Sequence, residues 1–124
     1  MPKASKTTAS ETVELEGYEG HMESMEDGYT VVFEKYTADA DLTPFFKGLP
    51  DDRCQAAHWG YVFSGKVTFK TAKGDETFET GDAYYVGPGH TPVLYAGTEI
   101  VEFSPTEALE RTLETIAKNM ETAG

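Results

Sequence analysis

Three residues that commonly bind transition metals lie in two short segments of this 124-residue chain. Cys54, the only cysteine, and His58 belong to the segment CQAAHWGYVFSG, and His90 ends the segment GDAYYVGPGH. Residues an even number apart point to the same side of an extended strand, so the side chains of Cys54 and His58 can enter one cavity. A thiolate and two imidazoles suit zinc, copper or iron, and the thiolate favours zinc or copper.

Two other roles for these residues remain open. In one, Cys54 is a nucleophile and either His58 or His90 is its base, although no orienting acid or oxyanion motif is recognisable. In the other, Cys54 is a small buried side chain, and the two histidines are hydrogen-bonded residues of a core or a turn. Considered singly, the three residues favour this last role, and it is their joint match to the ligand positions of a family of similar proteins that favours a metal site.

Acidic residues near these segments offer a fourth ligand or a hydrogen-bond partner for one of the first three. The candidates are Asp52, Glu99 and Glu102, and their spacing does not select among them. The third histidine, His21, stands among charged residues and is predicted to lie at the surface.

The two segments resemble the two signature motifs of the cupin family of small β-barrels. Gly65 matches the glycine that ends the strand of the first motif. Gly81 and Asp82 match the Gly-Asp pair that opens the second motif, and Pro88 and Gly89 match its Pro-x-Gly corner. The resemblance covers about residues 30–103 and implies an all-β fold, a double-stranded β-helix or jelly-roll barrel.

The ligand positions of this chain depart from the usual cupin set. Alignment on the first motif places Asp52, Cys54 and His58 where cupins usually have two histidines and a glutamate. In the second motif the usual histidine position is Pro92, and His90 lies two residues earlier. The chain is thus similar to a small-cupin subgroup in which Cys54, His58 and His90 form the ligand set. The resemblance also implies a homodimer, while cupins in general carry out many different reactions.

Composition excludes several classes of partner. The net charge of −12 argues against binding to nucleic acid or to anionic membranes. No apolar run is long enough to span a bilayer, and the polar N-terminal segment has no signal-peptide core. A single cysteine cannot form an internal disulfide, so the chain is expected to be cytoplasmic.

The chain divides into a predicted disordered tail over residues 1–12, a barrel domain over 13–103 and a helix over 104–120. Short β-branched and aromatic runs, such as YTVVFEKY at 29–36, alternate with glycine-containing turns across the central part. In the strand that begins near Gln55, Trp59 and Tyr61 alternate with His58 and are predicted to point away from the cavity.

The C-terminal segment changes to helical periodicity. Ser104 is a predicted cap, Pro105 suits the first helical position, and Glu107 completes a capping box. The apolar stripe is predicted to pack on the outside of the barrel or across a dimer; its members are Leu109, Leu113, Ile116 and Met120.

These observations predict a small cupin that binds a divalent transition metal and acts on a small molecule inside the barrel. The alternative is a non-enzymatic sensor or binding protein for a metal or a small molecule. The sequence does not decide between an enzyme and a binding protein.

Overall fold

Ten strands and one long helix make up the computed structural model, which describes residues 2–15 and 17–123, the last two without their side chains. Met1, which belongs to the predicted tail, lies outside the described residues together with Glu16 and Gly124. The elements are β1 (Glu11–Leu15), β2 (Tyr18–Ser24), β3 (Tyr29–Tyr36), β4 (Ala40–Asp41), β5 (His58–Ser64), β6 (Lys66–Thr71), β7 (Gly74–Glu79), β8 (Ala83–Val86), β9 (His90–Leu94), β10 (Glu99–Pro105) and α1 (Thr106–Ala123), with short 3₁₀ turns at Thr43–Phe46 and Pro50–Asp52.

The strands form two antiparallel sheets that enclose the core. The larger sheet has the order β1-β2-β3-β10-β5-β8, and the smaller sheet has the order β4-β9-β6-β7. Side chains from both sheets meet in one apolar cluster; its members include Tyr36, Val62, Phe69, Leu94 and Ile100. The predicted all-β jelly-roll architecture with a C-terminal helix is confirmed.

Alternation along β5 sets the two faces of the larger sheet. His58 and Val62 are buried, whereas Trp59, Tyr61 and Phe63 are 40–53% exposed on the outer face. The predicted outward direction of Trp59 and Tyr61 is therefore correct, because the strand keeps its two-residue period through this stretch.

The turn between β5 and β6 requires a glycine. Gly65 has a φ of +83°, and a β-carbon there would lie 2.2 Å from Thr98 Oγ1 and 2.8 Å from Thr98 Cα. Because Thr98 Oγ1 also accepts a hydrogen bond from the Lys66 amide at 3.1 Å, it has little freedom to move. Gly65 thus ends the strand for both conformational and steric reasons.

We expect Gly65→Ala to lower the free energy of unfolding by about 2–5 kcal/mol. Left-handed backbone strain contributes about 1–2 kcal/mol, and the clash with Thr98 adds about 1–3 kcal/mol. Gly97→Ala is the matched control, because Gly97 has a φ of +87° but nothing within 4 Å of an added β-carbon. Urea unfolding of both variants measures the difference. Equal losses at the two positions would show that Thr98 yields and the clash is absent.

The first and second strands differ from the sequence-based expectation. Glu11 and Thr12 lie in β1, paired with Met22 and His21 of β2, although the prediction placed them in the tail. β2 itself was not predicted, because YEGHMES carries charges and a glycine in place of a β-branched run. Pairing with β3 along its whole length holds this segment in the sheet and overrides its weak local propensity.

The helix starts later than predicted, and the predicted cap is wrong. Ser104 and Pro105 continue β10, where they pair with Thr30 and Tyr29 of β3. The sheet ladder therefore holds both residues in an extended conformation, so Ser104 cannot cap α1 and Pro105 is not in its first turn. Thr106 is the first helical residue, and its hydroxyl is 2.7 Å from that of Thr30.

Helix α1 lies across the opening between the two sheets, whereas the outside of the barrel or a dimer contact was expected. Leu109, Leu113 and Ile116 line the internal cavity, while Met120 is 38% exposed and does not continue the buried stripe. Asn119 donates hydrogen bonds to the carbonyls of Phe45 and Lys47, at 2.6 and 2.8 Å, and ties the helix to the 3₁₀ turn.

Within the described ranges, no helix has the length and hydropathy needed to cross a membrane.

Candidate metal centre and cavity

A cavity of about 70 Å³ lies between the two sheets under helix α1. Most of its lining is apolar, with side chains such as Val32, Phe69, Leu94 and Ile116. Since a water molecule takes up about 30 Å³ in the liquid, this volume corresponds to about two water molecules. Its polar and ionisable lining residues include groups at two neighbouring positions.

The first position brings together the three residues singled out from the sequence. Cys54, His58 and His90 are all buried, and one ligand atom from each lies within 4.8 Å of the others. An isolated bridge joins Cys54 to His90, with the Cys54 amide donating to the His90 carbonyl at 2.8 Å. His58 begins β5 and His90 begins β9, so one residue from each sheet meets the loop that carries Cys54.

Hydrogen bonds at Nδ1 orient both imidazoles. His58 Nδ1 is 2.6 Å from Ser104 Oγ, and His90 Nδ1 is 2.6 Å from the Gly87 carbonyl oxygen. Because a carbonyl can only accept, the Nδ1 proton of His90 donates to Gly87 and leaves Nε2 as the basic nitrogen. Metal-binding histidines characteristically have such a partner at the ring nitrogen that does not bind the metal.

One pair of these atoms, Cys54 Sγ and His58 Nε2, has nearly the spacing of two ligands of a tetrahedral zinc ion. A tetrahedral zinc ion with Zn–S of about 2.3 Å and Zn–N of about 2.1 Å holds sulfur and nitrogen about 3.6 Å apart. Cys54 Sγ and His58 Nε2 are 3.8 Å apart. Thr112 of α1 brings Oγ1 to 3.5 Å from the same sulfur, so the helix also reaches this position.

Electrostatics favour the thiolate that a metal needs. Burial alone raises the pKa of the Cys54 thiol, but hydrogen bonds and positive charge from His58 and His90 lower it to about 5. Burial alone lowers the pKa of His58, but the nearby Glu102 carboxylate and the Cys54 sulfur raise it. The site therefore concentrates negative charge at the sulfur, as expected for a soft-metal ligand.

Of the three acidic residues considered as further ligands, only Glu102 reaches the cavity. Asp52 is exposed and accepts a hydrogen bond from the Gly48 amide at 2.9 Å. Glu99 pairs with Lys6 at 3.4 Å on the outer surface. Glu102 Oε1 lies 4.0 Å from His58 Nδ1, on the outer side of that ring. Glu102 is thus placed to support His58 and not to complete the ligand set.

His21 lies in β2, away from the cavity lining. Its Nε2 is 3.4 Å from Glu19 Oε2, and its side chain is 27% exposed. The predicted surface position is therefore close to the observed one.

The second polar position contains Glu34, which the sequence patterns did not single out. Glu34 of β3 lines the cavity beside Glu102, and the Tyr84 hydroxyl donates a short hydrogen bond to Glu102 Oε2. A signal for Glu34 was available, since it has the same parity as Val32 and Tyr36, both buried. Ser104 was predicted to cap the helix, so its position beside His58 was not expected.

A separate feature is the outer surface of the larger sheet, which we call the aromatic face. It consists of large side chains that are 40–53% exposed, and its members are Tyr29, Trp59, Tyr61, Phe63, Tyr85 and Phe103. The Trp59 ring lies 5.0 Å from the Tyr85 ring and 6.3 Å from the Tyr29 ring, centroid to centroid. The rings are therefore contiguous across neighbouring strands.

The architecture consists of two antiparallel sheets around a small cavity that has both polar and apolar lining residues. No protein-family model matches the sequence. No curated protein sequence matches it either. Solved structures do match, and the chain has the cupin fold.

Three of these structures illustrate the match. An RmlC-like cupin from Shewanella frigidimarina has 16% identity and a TM-score of 0.54, over 77% of this chain and 83% of that one. KdgF from a Halomonas species has 18% identity and a TM-score of 0.52, over 77% and 86%. Pac13 from Streptomyces, a nucleoside dehydratase, has 16% identity and a TM-score of 0.59, over 86% and 82%. At such identities the similarity shows the fold alone.

Proposed function

We propose that this cupin-fold chain binds a divalent transition metal through Cys54, His58 and His90 and acts on a small molecule in the cavity. Zinc or copper is favoured by the thiolate, and iron is a third candidate. The observation that supports this proposal is the convergence of three buried ligand atoms within 4.8 Å of one another, beside a cavity of about 70 Å³.

The residues around the three proposed ligands have separate tasks. Ser104 and the Gly87 carbonyl hold the two imidazole rings in place through their Nδ1 atoms. Apolar side chains line much of the rest of the cavity, and a low-dielectric lining strengthens electrostatic interactions inside it. A metal bound there would polarise an oxygen or nitrogen group of the small molecule or lower the pKa of a water.

The nucleophile hypothesis for Cys54 has less support. The residue is 3% exposed, and its sulfur lies 3.8 Å from His58 Nε2 and 3.5 Å from Thr112 Oγ1. A thiol enclosed in this way has little room for an attack on a substrate, whereas both imidazoles already converge on it. The same enclosure suits a metal ligand.

A non-enzymatic sensor or binding protein is the second candidate function. The observation that favours it is helix α1, which covers the cavity with Leu109, Leu113 and Ile116 and brings Thr112 up to Cys54. Substrate turnover requires that ligands enter and leave past this helix. Conversely, the cupin-fold neighbours include a nucleoside dehydratase, so the same barrel is compatible with catalysis on a small molecule.

Cobalt substitution tests the proposal and separates the two candidates. We expect the metal-free protein to take up one equivalent of Co²⁺ and to show a thiolate-to-cobalt charge-transfer band that the Cys54→Ser variant lacks. Azide is then added, because an open coordination position admits a small anion and changes the visible d–d bands. A change supports the enzyme, and an unchanged spectrum supports the binding protein. Wild-type protein that takes up no cobalt would contradict the metal site and leave a metal-free binding protein for a small molecule as the remaining candidate.

We also propose that the chain forms a homodimer through the aromatic face. The six side chains of this face carry no formal charge, in a chain whose net charge is −12. In a two-fold dimer each surface faces its own copy, so charged side chains on that surface would repel their copies across the interface. A contiguous exposed aromatic surface is characteristic of such interfaces.

A further inference from the structure

The buried side of helix α1 has one polar side chain among apolar ones. Thr112 is 3% exposed and lies between Leu109 and Ile116 on the stripe that lines the cavity. Its hydroxyl has one hydrogen-bond contact among the described residues, the Cys54 sulfur at 3.5 Å. Buried hydroxyl groups in proteins nearly always have a hydrogen-bond partner, so the cysteine sulfur accounts for the presence of Thr112 in this apolar stripe.

The helix also packs along the segment 45–54, at whose end the cysteine lies. Asn119 donates hydrogen bonds to two backbone carbonyls of this segment, at 2.6 and 2.8 Å. About one turn earlier, Cγ2 of Thr115 lies 3.9 Å from the position of a β-carbon on Gly48. Thr112 makes the contact with the sulfur about one turn earlier again. The helix and the cysteine-bearing segment are therefore in contact over about two helical turns.

The first residue of the helix is held independently of the proposed metal ligands. The Thr106 amide donates to the Gly28 carbonyl at 2.7 Å, and the Thr106 hydroxyl is 2.7 Å from that of Thr30. Both partners belong to the β2–β3 hairpin, which carries none of the three proposed ligands. The contacts that hold the rest of the helix over the cavity are its apolar stripe, Asn119 and Thr112.

A metal at the three-ligand site would change the hydrogen bond between Thr112 and Cys54. The sulfur of a free thiol is a weak acceptor, whereas a metal-bound sulfur has no proton and can only accept. The Thr112 hydroxyl is then the donor to a negatively charged atom. Hydrogen bonds of this kind are about twice as strong as those between neutral groups. The contact between the helix and the cysteine therefore strengthens when a metal is bound.

We propose that helix α1 is a lid whose closure is coupled to metal binding through the hydrogen bond from Thr112 to Cys54. Metal binding favours the docked helix, and because linked equilibria are reciprocal, the docked helix raises the affinity for the metal by the same factor. The inference rests on the proposed function, since the coupling requires a metal at Cys54, His58 and His90. Metal occupancy then determines how often the cavity opens toward solvent.

Amide hydrogen exchange followed by NMR, with and without one equivalent of Zn²⁺, tests the coupling. In the metal-free protein we expect the amides at 112–118 to exchange at least tenfold faster than those of β6, because the helix opens without unfolding of the barrel. Zinc should slow the exchange at 112–118 by about 10–100-fold, the range found when a hydrogen-bond partner of a metal ligand is removed. Zinc affinity is measured on the same samples by competition with a chelator.

Three substitutions on the helix provide the matched comparison. Thr112→Val keeps the shape and removes the donor, so the slowing by zinc should fall to about onefold and the zinc affinity should fall by the factor that is lost. Thr112→Ser keeps the hydroxyl and should retain both quantities within about threefold. Thr115→Val is the same chemical change on the same helix, at a residue that faces Gly48 and not Cys54, and should change neither.

The outcomes distinguish the lid from the metal site. Zinc-bound wild-type protein with unchanged exchange at 112–118, or a folded Thr112→Val variant that keeps the slowing, would overturn the coupling and leave the metal site standing. Helix amides that exchange no faster than those of β6 in the metal-free protein would show that α1 does not open separately. A wild-type protein that binds no zinc would contradict the metal site, and the coupling with it.

Discussion

Replacing Cys54 with serine, or His58 with alanine, is expected to lower the affinity for zinc by about 10²–10³-fold. Structural zinc sites have apparent binding free energies of about 10–16 kcal/mol from four ligands, so one ligand corresponds to about 2.5–4 kcal/mol. Both side chains are buried at the centre of the cluster. Elemental analysis of protein purified without an affinity tag, followed by competition with a chelator, measures the loss.

Two further variants calibrate this result. His21→Ala removes a histidine of β2 that pairs with Glu19 outside the cavity, so it should retain full metal content. Ser104→Ala removes only the partner of His58 Nδ1, and changes of this kind lower metal affinity about 10–100-fold. The affinity for the metal is therefore expected to decrease in the order wild type, Ser104→Ala, His58→Ala. Full occupancy in Cys54→Ser combined with His58→Ala would refute the proposed ligand set.

Replacing Trp59 and Phe103 with glutamate is expected to convert the proposed homodimer into a monomer. The two residues are register partners on β5 and β10 and are 46% and 42% exposed. Central aromatic residues of an interface contribute about 2 kcal/mol each, and a two-fold dimer carries each substitution twice, so the dimer dissociation constant should rise about 10⁶-fold. Sedimentation equilibrium over a range of protein concentrations measures this change.

The control variant changes the net charge by the same amount away from the aromatic face. Ala72→Glu with Lys73→Gln makes the net charge more negative by two at the exposed β6–β7 turn and should leave the dimer intact. Circular dichroism establishes that both variants are folded. A wild-type protein that is monomeric, or a folded Trp59→Glu/Phe103→Glu variant that still dimerises, would show that this face is not the interface.

The barrel strands were predictable because their signals are local. β3, β6 and β8 agree with the β-branched and aromatic runs at those positions, and glycines mark the turns between them. β2 was missed because its charges and glycine have weak strand propensity, and only pairing with β1 and β3 holds it in the sheet. Ser104 was misassigned for the opposite reason, since a strong local capping signal lost to the pairing of β10 with β3.

Local strand periodicity in the sequence predicted an all-β chain, and two short segments contained Cys54, His58 and His90. The resemblance of those segments to the cupin motifs predicted the cupin-type fold. Only the tertiary structure showed that Glu34 and Glu102 share a cavity with Cys54, His58 and His90, and that α1 covers it. These residues come from β3, β10, β5, β9, a loop and a helix. Their proximity depends on the packing of two sheets and a helix, which no local pattern in the sequence records.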